Sequence, residues 1–108
     1  MSSTAGPLAG LRVLDIGTRI AAPFAAGLLA DFGAEVVKIE NPRGGDFMRA
    51  IGPFSKEYSL WWAVEGRGRK SITLDLRKTE GQEIFRRLVP HFDAVSYTHL
   101  TLPTICSV

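Results

Sequence analysis

The chain has 108 residues, 45% hydrophobic and 22% charged, with a formal net charge of +2. That length supports one modest core, burying roughly two-thirds of the unfolded surface, and the charge is too small to argue for a nucleic-acid partner. No run approaches the roughly 18 apolar residues of a membrane span, and the only cysteine, Cys106, excludes an internal disulfide and a cysteine metal cluster.

Met1 to Ala9 is small and flexible in composition and reads as a frayed leader. Met1 to Gly10 lacks the basic start and apolar segment of a secretory signal, so a soluble cytoplasmic protein is expected. Arg12 to Ile16 is a short run of branched apolar residues ending in Gly17 and Thr18, the pattern of a buried strand entering a turn. From Pro23 the period changes: Phe24, Leu28, Leu29 and Phe32 fall on one helical face, and Gly33 stops the helix. Ala34 to Glu40 returns to an extended pattern, with Lys38 and Glu40 read as a strand-end pair. Strand, helix and strand this close together predict a right-handed crossover in a parallel sheet. Such sheets bind ligands at the carboxyl ends of their strands, here Ile16 to Ala22 and Glu40 to Asp46.

Asn41 to Asp46 (NPRGGD) is a turn cluster. Phe47 to Ser55 has no period and is expected to be loop or a short helical turn. Tyr58 to Glu65 predicts a short helix ended by Gly66 and Gly68, in which Trp61 and Trp62 read as core or interface side chains. Arg67, Arg69 and Lys70 form a basic cluster, read as solvated surface. Beyond it Ile72, Leu74 and Leu76 alternate with polar residues, predicting a strand over Ser71 to Leu76. Thr79 to Val89 predicts a helix with Thr79 and Gln82 as a capping box and Ile84, Phe85, Leu88 and Val89 as its apolar face. Gly81 weakens its first turn.

Val95 to Thr104 (VSYTHLTLPT) resembles, residue for residue, one reading frame of a transposon adapter used in sequencing libraries. Residues 95–108 are therefore expected to be a non-native tail, in which His99 and Cys106 carry no role. Residues 1–94 are expected to be one domain, the start of a longer protein.

Two segments, PLAGLRVLDIGTRIAAPFAAGLLADFGAEVVKIENPRGGDFMR and EGRGRKSITLDLRKTEGQEIFRRL, together resemble the amino-terminal part of class III coenzyme A transferases, the family of formyl-CoA and carnitine CoA-transferases. Strand, helix, GGD loop and GRKSITLDLR segment occur in the family's order and spacing, over nearly all of Pro7 to Ala94. The resemblance implies an α/β fold, the amino-terminal part of a Rossmann-like, mainly parallel open sheet with flanking helices. It implies a soluble homodimer of interlocked chains that moves coenzyme A (CoA) between an acyl-CoA and a carboxylic acid, without metal, membrane or nucleic acid. In the family an aspartate attacks the thioester and comes to carry CoA. Asp15, Asp31, Asp46 and Asp75 do not match that aspartate, so no catalytic residue is assigned and the chain alone is expected to be inactive.

CoA binding carries over residue by residue. Thr18, Arg19, Ile20 and Ala21 match the loop lying along the CoA, with Ile20 and Ala21 the best placed. Asn41 stands where some members hold a phosphate-binding arginine, and Arg43 is a substitute two residues on. Leu74, Asp75, Leu76 and Arg77 match a segment near the adenine and phosphates, where Arg77 supplies a cation. Asp15 reads as a brace for the turn after the first strand. The alternative is a free-standing nucleotide- or phosphate-binding module without catalysis, but no GxGxxG follows the first strand. A nucleic-acid role for GRGRK is opposed by eleven acidic residues.

Overall fold

The computed structural model describes residues 6–97. Four parallel strands form the main sheet: β1 (Arg12–Asp15), β2 (Glu35–Glu40), β5 (Arg69–Thr73) and β6 (Ala94–Ser96), in the order β5-β2-β1-β6. Helix α1 (Ala21–Asp31) connects β1 to β2, and α3 (Thr79–Leu88) connects β5 to β6. Between β2 and β5 lie a 3-10 turn at Phe47–Ala50, a two-stranded hairpin of β3 (Phe54–Ser55) and β4 (Tyr58–Ser59), and the short helix α2 (Leu60–Glu65). This is the α/β architecture expected. No helix among the described residues is long and apolar enough to cross a membrane.

Strand alternation assigns the core to two faces. Val13 and Val36 pack under α1 with Ala26 and Ala34, joined by Leu29 and Ala30. Leu14, Ile16 and Ile39 pack on the opposite face with Phe85 of α3, joined by Leu74, Leu76 and Leu88. With helices on both sides, β1 and β2 are buried over most of their length, so the charged residues within them, Asp15, Lys38 and Glu40, are buried along with the apolar ones.

Helix α1 corrects the expected face. Its contact with the sheet is made by Ala22, Pro23, Ala26 and Gly27, while Phe24, Leu28 and Phe32 are 47%, 41% and 54% exposed. Small residues let the helix axis approach the sheet, and a Cβ on Gly27 would lie 3.2 Å from the Arg69 guanidinium. The larger side chains therefore point away, leaving a helix apolar on both sides.

The edge strand β5 is shifted two residues earlier at its start than its alternation indicates. Arg69 and Lys70 enter it because each finds a carboxylate: Arg69 reaches Asp15 at 3.1 Å and Lys70 reaches Glu35 at 3.0 Å. Arg69 is thus buried, its side chain 2% exposed, rather than solvated. Leu74 and Leu76 fall beyond the strand and pack toward Phe85. Tyr58 and Ser59 belong to the hairpin, and the Ser59 hydroxyl caps α2 by accepting from the Trp62 amide. The capping box of α3 does not form. Lys78 is its N-cap without a side-chain bond, and the Gln82 amide donates instead to the Leu76 carbonyl at 3.0 Å.

Val95 and Ser96, within the adapter-like stretch, pair in parallel with Leu14 and Asp15. Residues 98–108, including His99 and Cys106, lie outside the described residues.

Two predictions follow from this packing. A Cβ on Gly81 would stand 1.9 Å from the Asp75 carbonyl oxygen, so Gly81→Ala must push α3 off the turn it covers. Overpacking of this kind costs about 1 to 3 kcal/mol, and urea unfolding should register that loss where helix propensity alone would give a gain.

The second concerns Glu40, at the end of β2. Burial raises its carboxyl, but hydrogen bonds from Arg49 and Ser71 and the Asp46 amide outweigh burial and bring it from 4.5 to about 2. A lowered carboxyl stabilises the fold above its unfolded value, and that stability is lost as pH falls toward the folded one. The shift sets a ceiling of about 3 kcal/mol at neutral pH, reduced by screening at the partly exposed Arg49. Glu40→Gln should therefore be less stable than wild type at pH 7, with the gap narrowing as pH falls below 4.5. A gap constant with pH in urea titrations would contradict this.

Candidate functional site

Three loops leave the carboxyl ends of adjacent strands: residues 16–20 after β1, 41–46 after β2 and 74–78 after β5. They enclose a cavity of about 420 Å³. Its apolar lining is made by Ile16, Ile39, Leu74 and Leu76 and its polar lining by Thr18, Asn41, Arg43, Asp75 and Arg77, with the carboxylates of Glu40 and Asp46 also contributing. An apolar lining with a few convergent polar groups suits an organic ligand carrying charge.

The 41–46 loop is held in shape by its own first residue. Asn41 Oδ1 accepts from the Arg43 amide at 2.7 Å, and Asn41 Nδ2 donates to the Gly45 carbonyl at 2.8 Å. Gly44 and Gly45 sit at φ 110° and 81°, a left-handed turn that favours glycine. Arg43 then reaches across to the third loop, its Nη1 donating to Asp75 Oδ2 at 2.8 Å. That bond, with one from the Arg77 amide, lowers the Asp75 carboxyl. Arg77 is exposed at the cavity and forms no ion pair among the described residues. A cation without a counter-ion beside Asn41 and an already paired arginine is suited to an added anion.

Of the residues expected to bind CoA, Thr18, Asn41, Arg43, Leu74, Asp75, Leu76 and Arg77 are brought together around this cavity. The other three go elsewhere. Arg19 has φ 66° and lays its guanidinium 4.2 Å from the centre of the Phe47 ring. Ile20 is the N-cap of α1 and 58% exposed. Ala21 lines a separate shallow groove with Ala22, Ala25 and Val95 to Tyr97, between α1 and β6.

Behind the cavity lies a layer of buried charge that residue spacing does not reveal. Lys38 is 1% exposed; its Nζ donates to the Gly17 carbonyl at 2.9 Å and stands 2.9 Å from Asp46 Oδ2 and 3.5 Å from Asp15 Oδ2. Asp15 also receives Arg69 at 3.1 Å and the Gly17 amide at 3.0 Å, so it does brace the turn. Burial raises the Asp15 carboxyl, opposed by Lys38, the Gly17 amide and Arg69. Lys38 and Glu40 are accordingly not a pair. Glu40 takes Arg49 in two bonds of 2.6 and 2.7 Å, and Arg49 stacks 4.4 Å from the Trp62 ring. The available signal was a lysine between Val36 and Glu40 on a face that the apolar pattern assigns to the core.

No cluster of three or more acidic, histidine or cysteine side chains placed to hold a metal occurs among the described residues. The aspartates closest to the cavity are engaged: Asp15 and Asp46 in buried ion pairs, Asp75 with Arg43.

Comparison with known proteins places this geometry. Residues 8–99 match the model of CoA-transferase family III. The chain is 54% identical over 90 residues to "Succinyl-CoA--D-citramalate CoA-transferase" of Chloroflexus aurantiacus, covering 82% of this chain and 22% of that protein. It is 46% identical over 95 residues to "Succinyl-CoA--L-malate CoA-transferase beta subunit" of the same organism, covering 87% of this chain and 24% of the relative. The crystal structure of a CAIB/BAIF family protein from Brucella suis superposes with a TM-score of 0.76 at 37% identity, over 85% of this chain and 25% of that one. The chain thus spans about a quarter of the length of these relatives, and it belongs to CoA-transferase family III.

Proposed function

We propose that this chain is the CoA-binding amino-terminal part of an enzyme that moves coenzyme A between carboxylic acids, and that the cavity at the ends of β1, β2 and β5 takes the nucleotide end of CoA. The observation that carries the reading is the convergence of seven expected binding residues on one cavity in a chain of this family. The apolar lining suits the adenine. Arg77 supplies a free guanidinium for a phosphate, and Arg43 can exchange its bond to Asp75 for a second phosphate bond. Arg19, Ile20 and Ala21, set away from the cavity, lie toward the pantetheine end.

The covalent step belongs to an aspartate outside this chain. In that step the carboxylate attacks the acyl-CoA carbonyl and expels the CoA thiolate, and the resulting anhydride is reopened by the thiolate to leave CoA on the aspartate and release the donor acid. The acceptor acid then takes CoA by the same two steps in reverse. Asp15, Asp46 and Asp75, the aspartates nearest the cavity, do not fit that role, since an ion-paired, buried or clamped carboxylate is a poor nucleophile. Relatives named for succinyl-CoA with citramalate or malate support acids with two carboxylates as the substrate class. The complete enzyme is a dimer in this reading, and the outward apolar face of Phe24, Leu28 and Phe32 is one that a partner or the rest of the protein would cover. Residues 95–108 remain, in this reading, a tail foreign to the enzyme, and the protein works in the cytoplasm.

Calorimetric titration should find weak CoA binding by the chain and no signal from NAD. Arg77→Ala should weaken CoA binding about tenfold, the size of a charge-assisted hydrogen bond at a partly exposed site. Tight NAD binding, or an unchanged affinity in the variant, would sink the assignment. The same chain mixed with succinyl-CoA and a second dicarboxylate should transfer no CoA; turnover detected by chromatography would show that the nucleophile is present after all.

A further inference from the structure

We propose that Lys38 is a positioning residue that joins the loop after β1 to the loop after β2, so that two walls of the CoA cavity are set as one unit. The proposal rests on the reading of the cavity given above only for its consequence in affinity.

The geometry is that of a single ammonium with one partner on each side. Its bond to the Gly17 carbonyl fixes the start of the first loop, one residue before Thr18. Its contact with Asp46 Oδ2 fixes the end of the second, whose earlier residues Asn41 and Arg43 line the cavity. Asp15 supplies the second carboxylate, and Arg69 the second cation, from β5. Two carboxylates against two cations leave the cluster neutral, which is the condition for burying it. The Trp62 ring lies 6.0 Å from Nζ.

Arg19 of the first loop also stacks on Phe47, just past the second, but Lys38 makes its link from inside the sheet, 1% exposed. Gly17 is confined by α1, since a Cβ there would stand 2.3 Å from the Ala22 Cβ, and its carbonyl is therefore presented at a fixed point. Asp46 is anchored separately by its amide on Glu40 at 2.7 Å and by accepting from the Met48 amide at 2.8 Å. A lysine in the middle of β2 converts these two local anchors into one. Loosening either should loosen the other, which a purely local bracing role would not do.

Two buried amides report the loops independently: Gly17, bonded to Asp15, and Met48, bonded to Asp46. Lys38→Met leaves two buried carboxylates underpaired and is at risk of not folding, so the decisive variants are the isosteric Asp46→Asn and Asp15→Asn. Amide exchange followed by NMR on the 108-residue chain should show Asp46→Asn accelerating Gly17, and Asp15→Asn accelerating Met48, by about five- to tenfold each, with the Val36 to Ile39 amides unchanged. An effect confined to the mutated loop would overturn the coupling. Equal acceleration of the Val36 to Ile39 amides would also overturn it, reducing the cluster to global stability. In the same samples Asp46→Asn should weaken CoA binding although Asp46 carries no cation for a phosphate. If wild type binds no CoA, the cavity assignment fails while the exchange result still decides the coupling.

Discussion

The fold depends on placing a positive charge inside a sheet and surrounding it until it is neutral. Lys38 occupies a strand that is covered on both faces, where an unpaired ammonium would be strongly destabilising. Asp15 and the Gly17 carbonyl reach it from the end of β1 and the turn that follows, and Asp46 from the loop after β2, all at the carboxyl end of the sheet. The requirement of neutrality therefore does structural work beyond the cluster. It fixes where β1 ends, where the GGD loop returns, and, through Arg69 on Asp15, where β5 begins.

The cavity is the visible result. Around it, charge is arranged in two layers that differ in availability. The inner layer, Lys38, Arg69 and Arg49, is committed to Asp15, Asp46 and Glu40. The outer layer holds Arg43, bound to a partly exposed Asp75, and Arg77, which pairs with no carboxylate among the described residues. In the proposed reading a phosphate would meet the cations of the outer layer, while the inner layer keeps the loops in place. Gly81 extends the same logic to the third wall, because α3 lies directly on the Asp75 carbonyl and only a glycine permits that approach.

Much of this was legible in the residues. The branched apolar residues of β1 and β2, Val13, Leu14, Val36, Val37 and Ile39, mark them as core strands, and the glycines and prolines mark the loops between elements. Motif order led to the family and to seven residues around one cavity. What was not legible came from tertiary competition. The bulky apolar residues of α1 form the more periodic face, yet Ala22, Ala26 and Gly27 allow a closer approach and take the core. The alternation through Leu76 suggests a longer strand, but the pairing of Arg69 and Lys70 with Asp15 and Glu35 draws the strand start back. Lys38 and Arg69 resemble surface cations because the partners that bury them, the Gly17 carbonyl for Lys38 and Asp15 for both, lie far away in sequence, a relation that spacing along the chain does not encode.

The central claim is that CoA sits in the cavity formed by the three loops. The most direct measurement is an NMR map of amide shifts in the isotope-labelled chain on addition of CoA. The account predicts shifts concentrated at Thr18, at Asn41 to Gly45 and at Leu74 to Arg77, with smaller ones at Arg19 to Ala21 and the remaining residues of the groove between α1 and β6 little changed. Shifts centred on Ala21, Ala25 and Tyr97 with the three loops silent, or no shifts at saturating CoA, would contradict it.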